Sequence, residues 1–592
     1  GSQVGALTAL GADALSAAQL AALSTTQIKG LDSAGLSALD ATGLAALGTA
    51  GLAALTAAQI KGLSSTNLGA LAAAQLAALS STQVAALSAQ ALRGLSTEQL
   101  AGLATTQLRG LTGAQLGSFS PDQLTVGNDA QLGSLSTSAL TGLSSTQLGA
   151  LDVAQLAALT TTQLGALSTT ALHGLTGTQL AALPLTELRA LSATQVGALT
   201  NSAIDALGAQ QLAALSSTQL RGLTGAALSE LGATQVAALS TAQVAAFTPF
   251  QLASLTSTDI AELSPAQLSG WSSTQLAGIS AVAVPGFSAE QLSSLSANQL
   301  RGLTGTSLGA FSSTQLASLT APQLASLTTT SVAGITSTQL SALTATQLNT
   351  LTTAQVAALA PGAFVGLPNA LLGALAPTQL ASLKAPQLQA LATEQLGALS
   401  PGAVASLTTT AVAGLLDTQL GALSLSQLGA LSTQQVAALA RTALSGLSAT
   451  ELTSLSAAQL GALSASQLGA LQDSQIAALL PAQIAQLSRT QLAGLSGAQV
   501  GDLTAAQLAA LSTAQLGGFT QTEIYGLSST QVSVLSTAQV SALETTQLAA
   551  LSTTALAGLT AAGRDALSST QLNAFSPTQV GALSEELIQS LG

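Results

Sequence analysis

Cysteine and methionine are absent from the 592 residues, and histidine occurs once, as His173. The first absence excludes disulfides and thiolate metal sites. Together the three leave little for redox or metal chemistry. Charge is scarce as well: 6% of residues are charged, where a globular domain carries roughly 25%. The formal net charge of −12 is spread over the whole chain, which argues against nucleic acid, since that partner needs a basic face. Long apolar runs are missing too. Ser, Thr or Gln interrupts nearly every stretch, so no segment of ~20 apolar residues could span a membrane. No signal-peptide pattern stands at the start, and the chain opens Gly1-Ser2 without Met.

What the sequence has is one unit, repeated. Leu159-Thr-Thr-Thr-Gln-Leu-Gly-Ala-Leu167 is typical. With Ser or Thr as position one, Gln is position four, an aliphatic position five, a small residue position seven and Leu position eight. Position eight is large and apolar in 73 of 74 octads, Gly127 being the exception, and position five in 72 of 74, with Ala12 and Arg564 as exceptions. No insertion breaks the phase, so residues 1–592 form a single continuous repeat array rather than domains joined by linkers.

The large apolar residues are spaced alternately three and five apart. A strand would send positions five and eight to opposite faces. One long helix fits no better, because eight residues advance ~800° and the apolar stripe would drift by ~80° per octad. A short helix in each octad satisfies the pattern. Ser or Thr at position one with Gln at position four is a capping box. Proline supports the same phase: Pro121, Pro249, Pro265, Pro361, Pro377, Pro401, Pro481 and Pro577, eight of the 13, stand at position two. That is the first helical position, where the missing N–H costs nothing. Each helix should run one to two turns and end near Leu at position eight.

A second period of sixteen overlies the first. Lys29, Lys61, Arg93, Arg109, His173, Arg189, Arg221 and Arg301 all occupy position six of alternate octads. Glycine at position seven (Gly30, Gly62, Gly94, Gly222) mostly shares their octads, and glycine at position six (Gly69, Gly117, Gly149, Gly197) mostly falls in the others. The expected fold is therefore all-α: an α-solenoid of very short helices with 16-residue coils of two octads, about 37 coils in all. At ~9 Å between stacked helices this is an elongated two-layer rod of roughly 330 Å. An isolated coil buries too few aliphatics to offset its ordering entropy, so neighbouring coils must cover it. The last octad, Ser584–Leu591, reads as a polar cap, while the first has no such ending, which predicts a segment of something longer.

No residue is assigned a catalytic, cofactor-binding or metal role, and no cofactor is expected. Position six of the charge-bearing octads should face solvent, His173 among them. Asp259 and Glu262, three apart, lack the base or nucleophile that acid–base work requires. Phe247, Phe250, Trp271, Phe287 and Phe311 concentrate aromatics within 247–311, most of them replacing Leu at position eight, and so read as core substitutions. Residues 362–369 form a second irregular patch. Arg564, beside Asp565, should make an internal pair or mark a local break.

Octads such as Leu351-Thr-Thr-Ala-Gln-Val-Ala-Ala-Leu359 look like the opening of the DNA-reading repeats of transcription-activator-like effectors. That similarity covers one short helix and lacks the longer repeat, the base-reading pair and the basic charge. The whole chain resembles the Leu/Ser/Thr/Gln-rich octapeptide tracts of giant bacterial surface or secreted proteins, such as adhesins. This resemblance implies an extracellular or cell-surface stalk, spacer or filament. The expected partners are further copies, associated laterally or end to end, or neighbouring repeats of a longer chain. A protein or glycan held on one face is the alternative. An enzyme is not expected.

Overall fold

The structure, a computed structural model, describes residues 9–582. Among these the regular elements are helices, and no strand occurs. The helices are as short as the octad requires: Thr25–Ile28 has four residues, Ser81–Ala86 six and Gly48–Ala54 seven. The chain divides into two compact units, residues 1–302 and 303–592.

Within each unit the local construction follows the sequence. At Ser80 the hydroxyl accepts from the Gln83 N–H at 3.3 Å, and Gln83 Oε1 accepts from the Ser80 N–H at 2.8 Å, closing the capping box at the head of Ser81–Ala86. The helix stops at Leu87, whose backbone is extended (ψ 141°). That extended residue turns the chain into the next cap. Seven of the eight position-two prolines are the first residue of an α-helix, as in Pro121–Thr125 and Pro577–Val580. Pro361 opens a short 3₁₀ helix, Pro361–Phe364. The aliphatics at positions five and eight form the core, for example Leu68, Leu71, Leu76 and Leu79 in the first unit and Leu420, Leu423, Leu428 and Leu431 in the second.

The coil is longer than two octads. In the first unit the helix Ser65–Gly69 packs on Ala89–Leu92, three octads later, and Ser145–Ala150 packs on Thr169–Leu172 in the same relation. In the second unit Asp417–Leu420 packs on Arg441–Leu444, again three octads later. Polar contacts between coils of the first unit join residues 25, 28, 29 and 31 apart. One turn therefore takes between three and four octads, and the expected 16-residue, two-layer coil is corrected. The reason lies in the joint: one short helix and its exit, extended at Leu87 after Ser81–Ala86, turn the chain by less than half a circle.

The sixteen-residue period is real but describes stacking rather than the coil. Three octads is an odd number, so each stacked pair joins one octad of each class. In one sense of pairing the backbones touch. A Cβ on Gly94, at position seven of a charge-bearing octad, would overlap the carbonyl of Ser65, three octads back, and a Cβ on Gly69 would lie 2.7 Å from the Gly94 carbonyl. Gly446 stands in the same relation to Asp417 in the second unit. In the opposite sense of pairing there is room at some of these positions: a Cβ on Gly429 would meet nothing within 4 Å. Alternate octads thus differ in which neighbour they approach closely.

The irregular places follow their substitutions. Phe247, Trp271 and Phe287 are buried at position eight, and Trp271 Nε1 donates to the Val244 carbonyl at 3.2 Å. Phe250, at position three, is exposed. Where Gly127 replaces Leu, a cavity of about 30 Å³ opens among Leu100, Leu116, Phe119 and Leu135. At 361–369 the 3₁₀ helix is followed by Gly366 at φ 76°. The polar last octad, Ser584–Leu591, lies outside the described residues.

Candidate functional site

The side chain that connects the coils is the position-four glutamine. Its Oε1 closes the capping box, which leaves the amide N–H groups free to point inward. In the first unit Gln59 Nε2 donates to the carbonyls of Ile28 and Leu31, both at 2.7 Å, four octads back. Gln83 does the same to Leu52 and Leu55 at 2.9 Å each. In the second unit Gln355 reaches Leu324 at 2.9 Å and Leu327 at 2.7 Å, and Gln459 reaches Leu428 and Leu431 at 2.8 and 2.9 Å. The position-eight carbonyls (Leu31, Leu55, Leu327, Leu431) lie beyond the end of a short helix, and the position-five ones already accept from the position-eight N–H. One buried amide therefore satisfies the start of its own helix and the end of another.

Sequence alone assigns this glutamine to capping and misses the second role. A signal is nevertheless present. Gln75, Gln107, Gln211 and Gln395 stand three residues after Ala72, Ala104, Gly208 and Ala392, which have no hydroxyl to form a capping box. The glutamine persists there because Gln107 still bridges to Leu76 and Leu79, and Gln395 to Phe364 and Leu367.

Four carboxylates replace this amide: Glu187, Asp259, Glu451 and Glu523. Asp259 accepts from the Thr256 N–H at 2.7 Å and from Ser229 Oγ at 2.8 Å, so it serves as cap and cross-coil acceptor. Glu262 has its carboxyl raised above the usual range by burial, and the nearby Asp259 charge adds to this. Glu262 Oε2 has no hydrogen-bond partner. Glu523 is almost wholly buried, its Oε2 accepts from the Thr520 N–H, and its Oε1 has no hydrogen-bond partner. Burial raises its carboxyl, and the bonds from Thr520 oppose that only in part.

The position-six column faces solvent as expected: Lys29, Lys61, Arg93, Arg109, His173, Arg189, Arg221 and Arg301 are all exposed. Two of the arginines also tie coils together, Arg189 Nε donating to the Ala214 carbonyl at 3.1 Å and Arg221 Nε to that of Ala246 at 3.0 Å. Arg564 pairs with Asp565 at 2.6 Å, and its helix, Ala561–Asp565, is continuous. Among the described residues no cluster of three or more His, Cys, Asp or Glu could hold a metal ion, and no helix is long and apolar enough to cross a membrane. Shallow grooves run between stacked helices. One of about 520 Å³ is lined by Ser81, Thr82, Thr106 and Arg109, and one of about 620 Å³ by Thr522, Tyr525, Thr553 and Thr578.

These features define a helical repeat protein of solenoid-like construction. A family model described as the ALTTAQ repeat matches residues 212–249 and 540–577, one stretch in each unit. No curated protein matches the chain. Among solved structures, "Structure of APUM23-GGAUUUGACGG" aligns over 79% of this chain and 85% of that chain at 14% identity and a TM-score of 0.13. "Structure of APUM23-GGAAUUGACGG" aligns over 85% and 86% at 14% identity and a TM-score of 0.12. Likeness of that size carries no argument about fold or function.

Proposed function

We propose that this chain is a structural repeat protein that works outside the cell, as a stalk or spacer or as a self-assembling surface filament, and that it has no catalytic role. The glutamine ladder is the observation that carries this reading. The position-four glutamine is buried in most of the octads that carry it and is committed to joining coils. What is left outside is mostly Ser, Thr, Ala and Gly. Low charge supports association between copies, lateral or end to end, since little repulsion keeps them apart, and the acidic balance disfavours nucleic acid. Neighbouring repeats of a longer chain would be held by the same ladder.

Negative-stain microscopy at several protein concentrations tests the proposal. Isolated thin particles of constant length are expected for a spacer, and indefinite fibres or sheets for a filament. Compact globular particles at every concentration would overturn both. A second reading, a solenoid binding module for a protein or glycan, is favoured by one specific observation: position six is exposed and varies, carrying Lys, Arg, His, Asp and Tyr.

A further inference from the structure

We propose that the groove beside Tyr525 is a binding site for a neutral oligosaccharide. This inference rests on the second reading above and gives it a ligand class. The groove belongs to the second unit and runs from the helix Gln521–Tyr525 across Ala549–Thr553 to the start of Pro577–Val580. It is an open groove of about 620 Å³.

Three properties of the lining select the ligand. Tyr525 is the single tyrosine of the chain and stands 67% exposed at the C-terminal end of its helix. An aromatic ring held open to water beside a groove offers a flat apolar face with a polar tip, and such a ring binds at low entropic cost. Around it stand the hydroxyls of Thr522, Thr553, Ser576 and Thr578 and the amide of Gln521. Those groups both donate and accept hydrogen bonds, which matches a molecule dense in hydroxyls. Finally, no lining residue carries a charge. A phosphate or carboxylate would be desolvated there with nothing to neutralise it, and a purely apolar ligand would strip water from the hydroxyls without replacing their bonds. A sugar ring has an apolar face for the tyrosine and a rim of hydroxyls for the threonines.

A second groove, lined by Ser81, Thr82 and Thr106, also has hydroxyl walls but carries a charge, Arg109. Tyr525 makes the groove beside it suited to an uncharged sugar.

Because Tyr525 is unique, its ring resonances in the full chain report on this groove alone. Titration with cellohexaose, maltohexaose and chitohexaose, followed by those resonances and by calorimetry, is expected to give a saturable shift with at least one of them at millimolar concentration or below. Tyr525→Ala should weaken that binding at least tenfold, while Tyr525→Phe retains most of it, with the melting temperature of both variants unchanged. Three results would overturn the proposal: no saturable shift with any of the three sugars, equal affinity in Tyr525→Ala, or tighter binding of oligogalacturonate than of the neutral sugars. Each concerns this groove alone, so the site can fail while exposed position-six residues of other octads still bind a protein or glycan, and the two readings fail distinguishably.

Discussion

A glutamine side chain has one acceptor end and one donor end, and this protein uses both ends in opposite directions. The acceptor end was legible in the sequence, because Ser or Thr three residues before Gln is a capping pattern with a physical reason. The donor end was not, because the carbonyls it meets lie 28 and 31 residues away and no local pattern marks them. Removing the donor leaves the buried Leu327 carbonyl unpaired, while Leu324 keeps the bond it accepts from the Leu327 N–H; one unpaired buried carbonyl costs about 1–3 kcal/mol. Gln355→Met keeps the length and loses the bonds. It should lower unfolding free energy by about 2 kcal/mol, measured by urea denaturation, whereas the same change at exposed Gln19 should have little effect. Glu523 is a natural version of that loss, with a carboxyl where the amide donor belongs. Its native carboxyl is raised by burial, so the folded chain holds the proton to higher pH than the unfolded chain. Below the unfolded value both states are protonated and stability is at its full level. As pH rises from there through the raised native value, the unfolded chain releases its proton first, and stability falls. Glu523→Gln should remove that fall and stabilise the protein at neutral pH. Melting curves from pH 4 to pH 8 that run parallel for the two proteins would contradict this assignment.

At the scale of the helix, the octad was readable and the coil was not. Positions one, two, five and eight each have a local reason: a cap, a proline site and two apolar contacts. Those reasons fixed the short helix, its start at Pro121 or Pro577 and its end before Leu. The number of helices per turn depends instead on how far one extended residue such as Leu87 swings the chain, and nothing in composition states that angle. The sixteen-residue period recorded a difference between octads without saying what it was. Glycine shows its meaning. Gly446 lies against the Asp417 backbone, whereas a Cβ on Gly429 would meet nothing within 4 Å. Gly446→Ala forces two helices apart and should destabilise by about 2–3 kcal/mol. Gly429→Ala, inside the helix Leu425–Ala430, should stabilise by about 0.5–1 kcal/mol, because alanine loses less backbone entropy in a helix. Thermal unfolding of the two variants side by side separates close packing from mere helix propensity; equal shifts would remove the distinction between the two stacking senses.

At the scale of the whole repeat array, the two classes of octad impose a rule on its length. Stacked helices are three octads apart, so a close pair always joins a charge-bearing octad to one of the other class. Removing residues 152–159, one octad of the first unit, leaves every capping box and every apolar position in phase. Around the new joint, however, each octad would face a neighbour of its own class. Gly174 would lose Ser145, the backbone it now abuts, and side chains would enter contacts that only glycine tolerates. Removing 152–167, two octads, restores the alternation. If stability depended only on the octad, the shorter deletion would be the milder one. The stacking seen here reverses that order. The one-octad deletion should melt at lower temperature and with reduced cooperativity, since nearest-neighbour interfaces carry the stability of such arrays, while the two-octad deletion should melt close to the parent. Circular dichroism at the helical minimum during heating checks both, and a one-octad deletion as stable as the two-octad one would mean that the alternation of glycines has no structural consequence.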